Sequence, residues 1–371
     1  VIYQQSLPAA GHPRGVYSVI YNNIALPEQV IPTGGVVYAS SNGSGLGCGT
    51  DCGVIFSLTP PASGAGEWTK TVLYSFAKGV NGYSPGPLAM DAAGALYGAA
   101  SSGGTGCPKY GGCGTVFKLA PPAARGKPWN FTVLYRFAGG TAGQQPLDGV
   151  ILDGQGNLYG VAQVEFPSAK FLVFKLTPPS GGGQWTESVL YRFYAPSQCY
   201  FGGPLAIDAN GALYGAFSGG SSVSSCDQAA NEYAYQLTPS KADPKVWVRT
   251  VMHTFTLNNL PGGDDLNAPL TVDSAGNVYG TTYWGGQNGN PGGAAGYGGT
   301  AFVLQPRPGS PGKWNYKVLF DFDPLPTSYH HGNTTGSSPN GGLVLDSAGA
   351  IYGTTLRGGT GDRGALFSLA P

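Results

Sequence analysis

One eight-residue phrase, Asp-x-x-Gly-x-Leu/Val/Ile-Tyr-Gly, returns five times, beginning at Asp91, Asp153, Asp208, Asp273 and Asp346. A sixth copy around Tyr38 has Pro32 where the others have the aspartate. The repeat tyrosines are Tyr38, Tyr97, Tyr159, Tyr214, Tyr279 and Tyr352, at intervals of 59, 62, 55, 65 and 73 residues. A period of this size in a strand-patterned chain restricts the fold to an array, a solenoid or a propeller.

Each period carries further landmarks. A glycine-rich stretch follows the tyrosine, then an apolar run ending in Leu, such as Val54–Leu58 or Val116–Leu119. Five times a tryptophan (Trp68, Trp129, Trp185, Trp247, Trp314) precedes a Val-Leu-Tyr-x-Phe type run, such as Val72–Phe76 or Val133–Phe137. Short alternating runs bounded by Gly and Pro read as half-buried antiparallel strands. Asp-x-x-Gly between the first two strands reads as a turn, with Asp bonding its own backbone and Gly supplying a left-handed exit. Each repeat thus holds four strands, A to D, and six repeats predict an all-β, six-bladed β-propeller.

The expected blades span about 8–76, 77–137, 138–193, 194–255, 256–322 and 323–371 plus 1–7, in a single domain 1–371. The chain ends on a C-type strand, Leu366–Leu369, and opens on a D-type one, Val1-Ile-Tyr3. The N-terminal strand is therefore expected to close the last blade, in preference to the rival copy Val19-Ile-Tyr21, and to remove the exposed edges.

Charged residues make up 10% of the chain, against roughly 25% in an average soluble protein. Nineteen basic residues balance nineteen acidic ones, which argues against nucleic acid or an anionic membrane surface as partner. No run approaches the ~18 apolar residues of a membrane helix, so no membrane insertion is expected. With 1–7 used as a strand, the chain reads as a processed mature form without a signal peptide. Strand topology places six cysteines in three local pairs, Cys48–Cys52, Cys107–Cys113 and Cys199–Cys226, without the convergence of four ligands that zinc requires. Disulfides point to a secreted, extracellular or periplasmic location, and the protein is expected to be a monomer.

The D–A and B–C loops emerge on one face of a propeller. Of the arginines, only Arg14, Arg357 and Arg363 fall in these loops, and His12, His330 and His331 join them from the loops entering blades one and six. His330 and His331 supply a base, Tyr329 an acid, and Arg357 and Arg363 a fork for a uronate carboxylate, the groups a polysaccharide lyase needs. His12 and Arg14 are substrate-binding candidates, as are Tyr283 and Trp284 just past strand B of blade five. Glu165 replaces the Gly-Gly of its sister loops and is a candidate general base or substrate contact. Asp264 and Asp265 suggest calcium, but without supporting spacing, so no cofactor or metal is expected. His253 stands where other D strands have tyrosine and reads as structural.

Val-Leu-Tyr-x-Phe, Asp-x-x-Gly-x-Leu-Tyr-Gly and Gly-Thr-Val-Phe-x-Leu-x-Pro together resemble the GloVer (gloeo/verruco-type) tandem repeats of secreted bacterial proteins, from about Val54 onward. The resemblance implies the repeat architecture and export, and carries no catalytic residue. The expected function is a secreted carbohydrate-active protein, a lyase of uronate-containing polysaccharide acting by β-elimination on an extracellular polysaccharide or oligosaccharide. The alternative is a non-catalytic lectin-like or surface-scaffold propeller. A third reading is a hydrolase pairing Glu165 with Asp264 or Asp265. Polar specialisation gathered in one sector, rather than repeated in every blade, favours the enzyme.

Overall fold

The computed structural model of the 371-residue chain describes residues 2–5, 17–21, 27–42, 52–62, 68–124, 126–164, 171–194, 200–201, 203–218, 232–255, 263, 265–266, 268–286, 298–323, 336–359 and 364–370. The fold is all-β, a six-bladed β-propeller built from six small antiparallel sheets.

The N-terminal strands β1 (Ile2–Gln5) and β2 (Tyr17–Tyr21) form a sheet of their own. Sheet one is β3 (Pro27–Thr33), β4 (Val36–Ser41), β5 (Val54–Thr59) and β6 (Thr69–Ser75). Sheet two is β7 (Tyr83–Met90), β8 (Leu96–Ser102), β9 (Thr115–Ala120) and β10 (Asn130–Arg136). Sheet three is β11 (Gln144–Leu152), β12 (Leu158–Gln163), β13 (Phe171–Thr177) and β14 (Thr186–Phe193). Sheet four is β15 (Tyr200–Phe201), β16 (Ala206–Ile207), β17 (Leu213–Ser218), β18 (Glu232–Pro239) and β19 (Trp247–Phe255). Sheet five is β20 (Thr271–Val272), β21 (Val278–Thr282), β22 (Thr300–Pro306) and β23 (Trp314–Asp321). Sheet six is β24 (Ser337–Pro339), β25 (Val344–Leu345), β26 (Ile351–Arg357) and β27 (Leu366–Leu369). Strand order follows chain order, except that strand A of sheets four and six comes in two pieces, both lying against strand B. By packing, the chain divides into two compact units, Val1–Glu165 with Lys175–Ser188 and Phe166–Phe174 with Val189–Pro371.

The expected closure is corrected by the pairing. Tyr3 lies opposite Val19 and Gln5 opposite Tyr17, so β1 takes β2 as its partner, while Leu366–Leu369 pairs with β26. The two rival D-type copies bond to each other. A local hairpin closes a short loop, which costs less chain entropy than a pairing across the whole sequence.

The repeated phrase folds the same way five times. In sheet two, Asp91 Oδ1 accepts the N–H groups of Ala93 and Ala95, both at 2.9 Å, and Gly94 N–H donates to the Asp91 carbonyl at 3.0 Å. Asp91 Oδ2 accepts the Tyr97 hydroxyl at 3.0 Å, and the pairs Tyr159–Asp153, Tyr214–Asp208, Tyr279–Asp273 and Tyr352–Asp346 match it at 2.9–3.1 Å. The glycine after the tyrosine is required by close approach. A β-carbon at Gly98 would lie 2.5 Å from Phe117 Cζ, and one at Gly280 2.6 Å from Phe302 Cζ. The phenylalanines ending each D run (Phe76, Phe137, Phe193, Phe255, Phe322) are fully buried, and truncating such a ring to Ala costs about 3–5 kcal/mol.

Three pairs of successive sheets join through main-chain atoms. In the first unit, the N–H of Ser84 donates to the Cys52 carbonyl at 3.0 Å, and that of Gln145 to the Cys113 carbonyl at 2.6 Å. In the second, Ser338 N–H donates to the Gly298 carbonyl at 2.6 Å. All three donors hold left-handed backbone (φ 58°, 45° and 55°). The D strands are clasped laterally by ring stacking, a hydrogen bond or a cation over a ring. Tyr74 stacks on Phe131 at 3.9 Å, and the Tyr135 hydroxyl donates to Glu187 Oε2 at 2.7 Å. Arg249 lies over Tyr191 at 5.6 Å, and His253 lies over Tyr316. His253 is therefore packing, as its place in the repeat suggested. Cys107 and Cys113 are joined as expected, and Cys52 is disulfide-bonded; Cys48, Cys199 and Cys226 lie outside the described residues.

Candidate functional site

Two successive B strands of the second unit end alike. In sheet five, the buried Thr282 hydroxyl donates to the Trp284 carbonyl at 2.9 Å and accepts the Thr300 N–H at 3.1 Å. In sheet six, the Thr355 hydroxyl donates to the Arg357 carbonyl at 2.9 Å and accepts the Ala365 N–H at 2.8 Å. The same threonine hook thus presents Trp284 in one sheet and Arg357 in the next, each five residues beyond its repeat tyrosine. Hydroxyl-to-backbone bonds of this kind fix a loop root where a ladder ends.

Trp284 is 38% exposed and meets Tyr283 edge-on, with ring centroids 4.7 Å apart at 80°. Arg357 is exposed, opposite Ser337 of β24, and its guanidinium has no hydrogen-bond or ion-pair partner among the described residues. An aromatic face open to solvent stacks on the C–H face of a sugar ring, and an uncommitted guanidinium offers a planar fork to a carboxylate.

The remaining expected site residues, His12, Arg14, Glu165, Tyr329, His330, His331 and Arg363, lie outside the described residues, as does Asp264. Asp265 is described, and its main chain ties the Tyr283 segment down: Tyr283 N–H donates to the Asp265 carbonyl at 2.9 Å. Among the described residues no group of three or more His, Cys, Asp or Glu side chains is placed to hold a metal.

Two carboxylates escaped the sequence reading. Glu232 is 1% exposed, at the position that is Gly53, Gly114 and Gly299 in sister sheets. Its Oε1 accepts the Ser218 hydroxyl at 2.7 Å and its Oε2 the Asp265 N–H at 2.6 Å. Glutamate standing among repeat glycines was the signal available. The second is Asp148, on a bulge where the β11–β12 register slips between Leu147 and Ile151, with φ 52°. Burial pushes its carboxyl up to about 6, and it has no hydrogen-bond partner among the described residues. The turn aspartate Asp153 shows the opposite behaviour. At Asp153 burial pushes the carboxyl upward, but hydrogen bonds from Asn157, Tyr159 and Gln155 outweigh it and hold it below the usual range.

Residues 16–227 match the model of the Gloeobacter/Verrucomicrobia repeat. No curated protein sequence matches the chain. Among solved structures, the chain is similar to PorZ, a surface component of the type-IX secretion system of Porphyromonas gingivalis, with 13% identity and a TM-score of 0.48. That match covers 98% of this chain but 43% of PorZ, so the chain spans less than half of that protein. A Dyadobacter fermentans protein of unknown function is 15% identical over 95% of this chain and 97% of its own, with a TM-score of 0.49. A PQQ-binding aldose sugar dehydrogenase of Streptomyces coelicolor is 11% identical over 95% of this chain and 96% of its own, with a TM-score of 0.45. Likenesses this distant carry no argument about chemistry.

Proposed function

We propose, from the premise that the chain belongs to the Gloeobacter/Verrucomicrobia repeat family, that it is an exported monomeric propeller acting on extracellular carbohydrate, with uronate-containing polysaccharide as its substrate. The observation that carries the reading is the shared threonine hook, which sets an exposed Trp284 and an uncommitted Arg357 at equivalent places in successive sheets. A hexuronate needs both features: an apolar ring face to lie on and a cationic fork for its carboxylate. The Cys107–Cys113 disulfide and the low charge support an oxidising, extracellular setting.

In the catalytic form of the proposal, Arg357 and Arg363 neutralise the uronate carboxylate and acidify the adjacent C–H. His330 or His331 takes that proton, the electron pair forms a C=C bond, and the glycosidic C–O bond breaks. Tyr329 gives its proton to the departing oxygen.

The test is calorimetric binding and turnover on oligogalacturonate and on a neutral xylo-oligosaccharide, with the unsaturated product followed by ultraviolet absorbance. Trp284→Ala should weaken both ligands, and Arg357→Ala should weaken the uronate alone, by tenfold or about 1.4 kcal/mol. Binding without turnover would leave the lectin-like reading. Equal losses for both sugars in Arg357→Ala, or no binding at all, would refute the uronate assignment.

A further inference from the structure

We infer that Glu232 is the residue that positions the Trp284 platform, acting through the main chain of Asp265; the inference rests on the saccharide reading of Trp284.

Three sister joins show what the fold alone requires. Where the first sheet meets the second, Gly53 lies so close to Pro85 that a β-carbon would collide with it, and the pairs Gly114–Pro146 and Gly299–Pro339 repeat this. In each, a left-handed residue next to the proline gives its N–H to a main-chain carbonyl. Where sheet four meets sheet five, both members of the pair are exchanged: Glu232 stands for the glycine and the fully buried Leu266 for the proline. Asp265 keeps the left-handed backbone (φ 66°), but its N–H now goes to a carboxylate. A buried carboxylate carries a large desolvation cost, and a main-chain oxygen already serves at the other joins. Joining sheets does not by itself require Glu232.

The Asp265 carbonyl supplies the reason. It accepts the Tyr283 N–H, so two hydrogen bonds in series lead from the Glu232 carboxylate to the residue beside Trp284. Gly263 and Gly285 approach so closely that a β-carbon on either would strike the other's chain or Thr282, so the two segments are packed backbone to backbone. Trp284 is therefore held from one side by the Thr282 hook and from the other by Asp265. A charge-assisted bond of 2.6 Å is roughly twice as strong as a neutral one. Ser218 satisfies the second carboxylate oxygen and fixes the rotamer. A binding surface gains most from rigid aromatics held in advance, and this buried support gives the exposed Trp284 that rigidity.

The experiment uses the full chain labelled with 5-fluorotryptophan, with the Trp284 resonance assigned by Trp284→Phe. Two variants are compared, Glu232→Gln and the double exchange Glu232→Gly with Leu266→Pro, which restores the sister glycine–proline pair and so preserves the join. The expected result is that the Trp284 resonance moves and broadens in both, while those of Trp68 and Trp129 stay. Affinity for oligogalacturonate should fall about tenfold with the double variant's melting temperature kept. An unmoved Trp284 resonance in both variants overturns the inference, whatever the ligand result. A moved resonance with wild-type affinity, when Trp284→Ala weakens binding, overturns it as well. If Trp284→Ala binds as the wild type does, the saccharide reading fails, and the resonance still decides whether Glu232 positions this side chain.

Discussion

The imidazole of His253 lies flat on the ring of Tyr316, with centroids 4.0 Å apart and planes 5° from parallel. Burial lowers its pKa from 6.5 to about 4, so the folded protein favours the neutral ring. The stability this contributes is complete above the unfolded pKa near 6.5 and is lost as pH falls toward 4. Replacing His253 with Phe, the type found at Phe320 of the next sheet, should raise the melting temperature at pH 5 and change it little at pH 8. A thermal melt at both values checks it; an equal effect at both would show that protonation plays no part.

Asp148 has the opposite sign. Its folded pKa of about 6 exceeds the usual 3.8, so the penalty for its charge is absent in acid, grows as pH rises and is complete above about 6. Asp148→Asn keeps the shape and tolerates the left-handed backbone. It should stabilise the protein at pH 8 by up to about 3 kcal/mol and leave stability at pH 4 unchanged. Urea midpoints at the two pH values report the difference.

The Asp153 turn separates two contributions. Tyr159→Phe removes one hydroxyl bond to Asp153 and should cost about 1 kcal/mol, whereas Asp153→Ala strips several donors and should cost about 2–3 kcal/mol. Because hydrogen bonds hold Asp153 below the usual carboxylate range, its contribution is present above that range and is lost as pH falls through it. The wild type should therefore lose its advantage over Asp153→Ala in acid. A double-mutant cycle should show the tyrosine bond vanishing once the carboxylate is gone.

Two glycines of one repeat should respond to alanine for different reasons. Gly98→Ala places a methyl against the buried Phe117 ring and should cost about 1–3 kcal/mol from overpacking. Gly94, at φ 81°, has open space around it, so its alanine variant pays only for left-handed backbone, about 1–2 kcal/mol. Adding Phe117→Leu should rescue the first variant and not the second.

The repeat made the sheets, their order and the Asp-x-x-Gly turns legible, because turn chemistry and period-two alternation are local. The equivalence of Trp284 and Arg357 was legible too, since both are counted from a repeat tyrosine. The bond from Tyr97 to Asp91 was not, because it spans a hairpin that only the folded register brings face to face. Nor was the length of the A strands. In sheet two the strand runs Tyr83–Met90, and Pro85 and Gly86 hide its first half under turn-like composition. Glu232 stood out against the repeat glycines, but its partner Asp265 lies in the next sheet, 33 residues on. The glycine-rich loops, with no periodicity and little charge, offered only residue types.

The main-chain joins bear on how such a chain can change. At three of them, donor and acceptor are backbone atoms, so any repeat bringing a left-handed residue and a glycine in register meets its neighbour whatever its side chains. Copies can then be duplicated, exchanged and left to drift without renegotiating their borders. Between sheets four and five that freedom is gone, because Glu232, Ser218 and Asp265 recognise one another as side chains and backbone together. A repeat transplanted there from elsewhere in the chain would arrive without its counterpart, which marks this border as one where the array stopped being interchangeable.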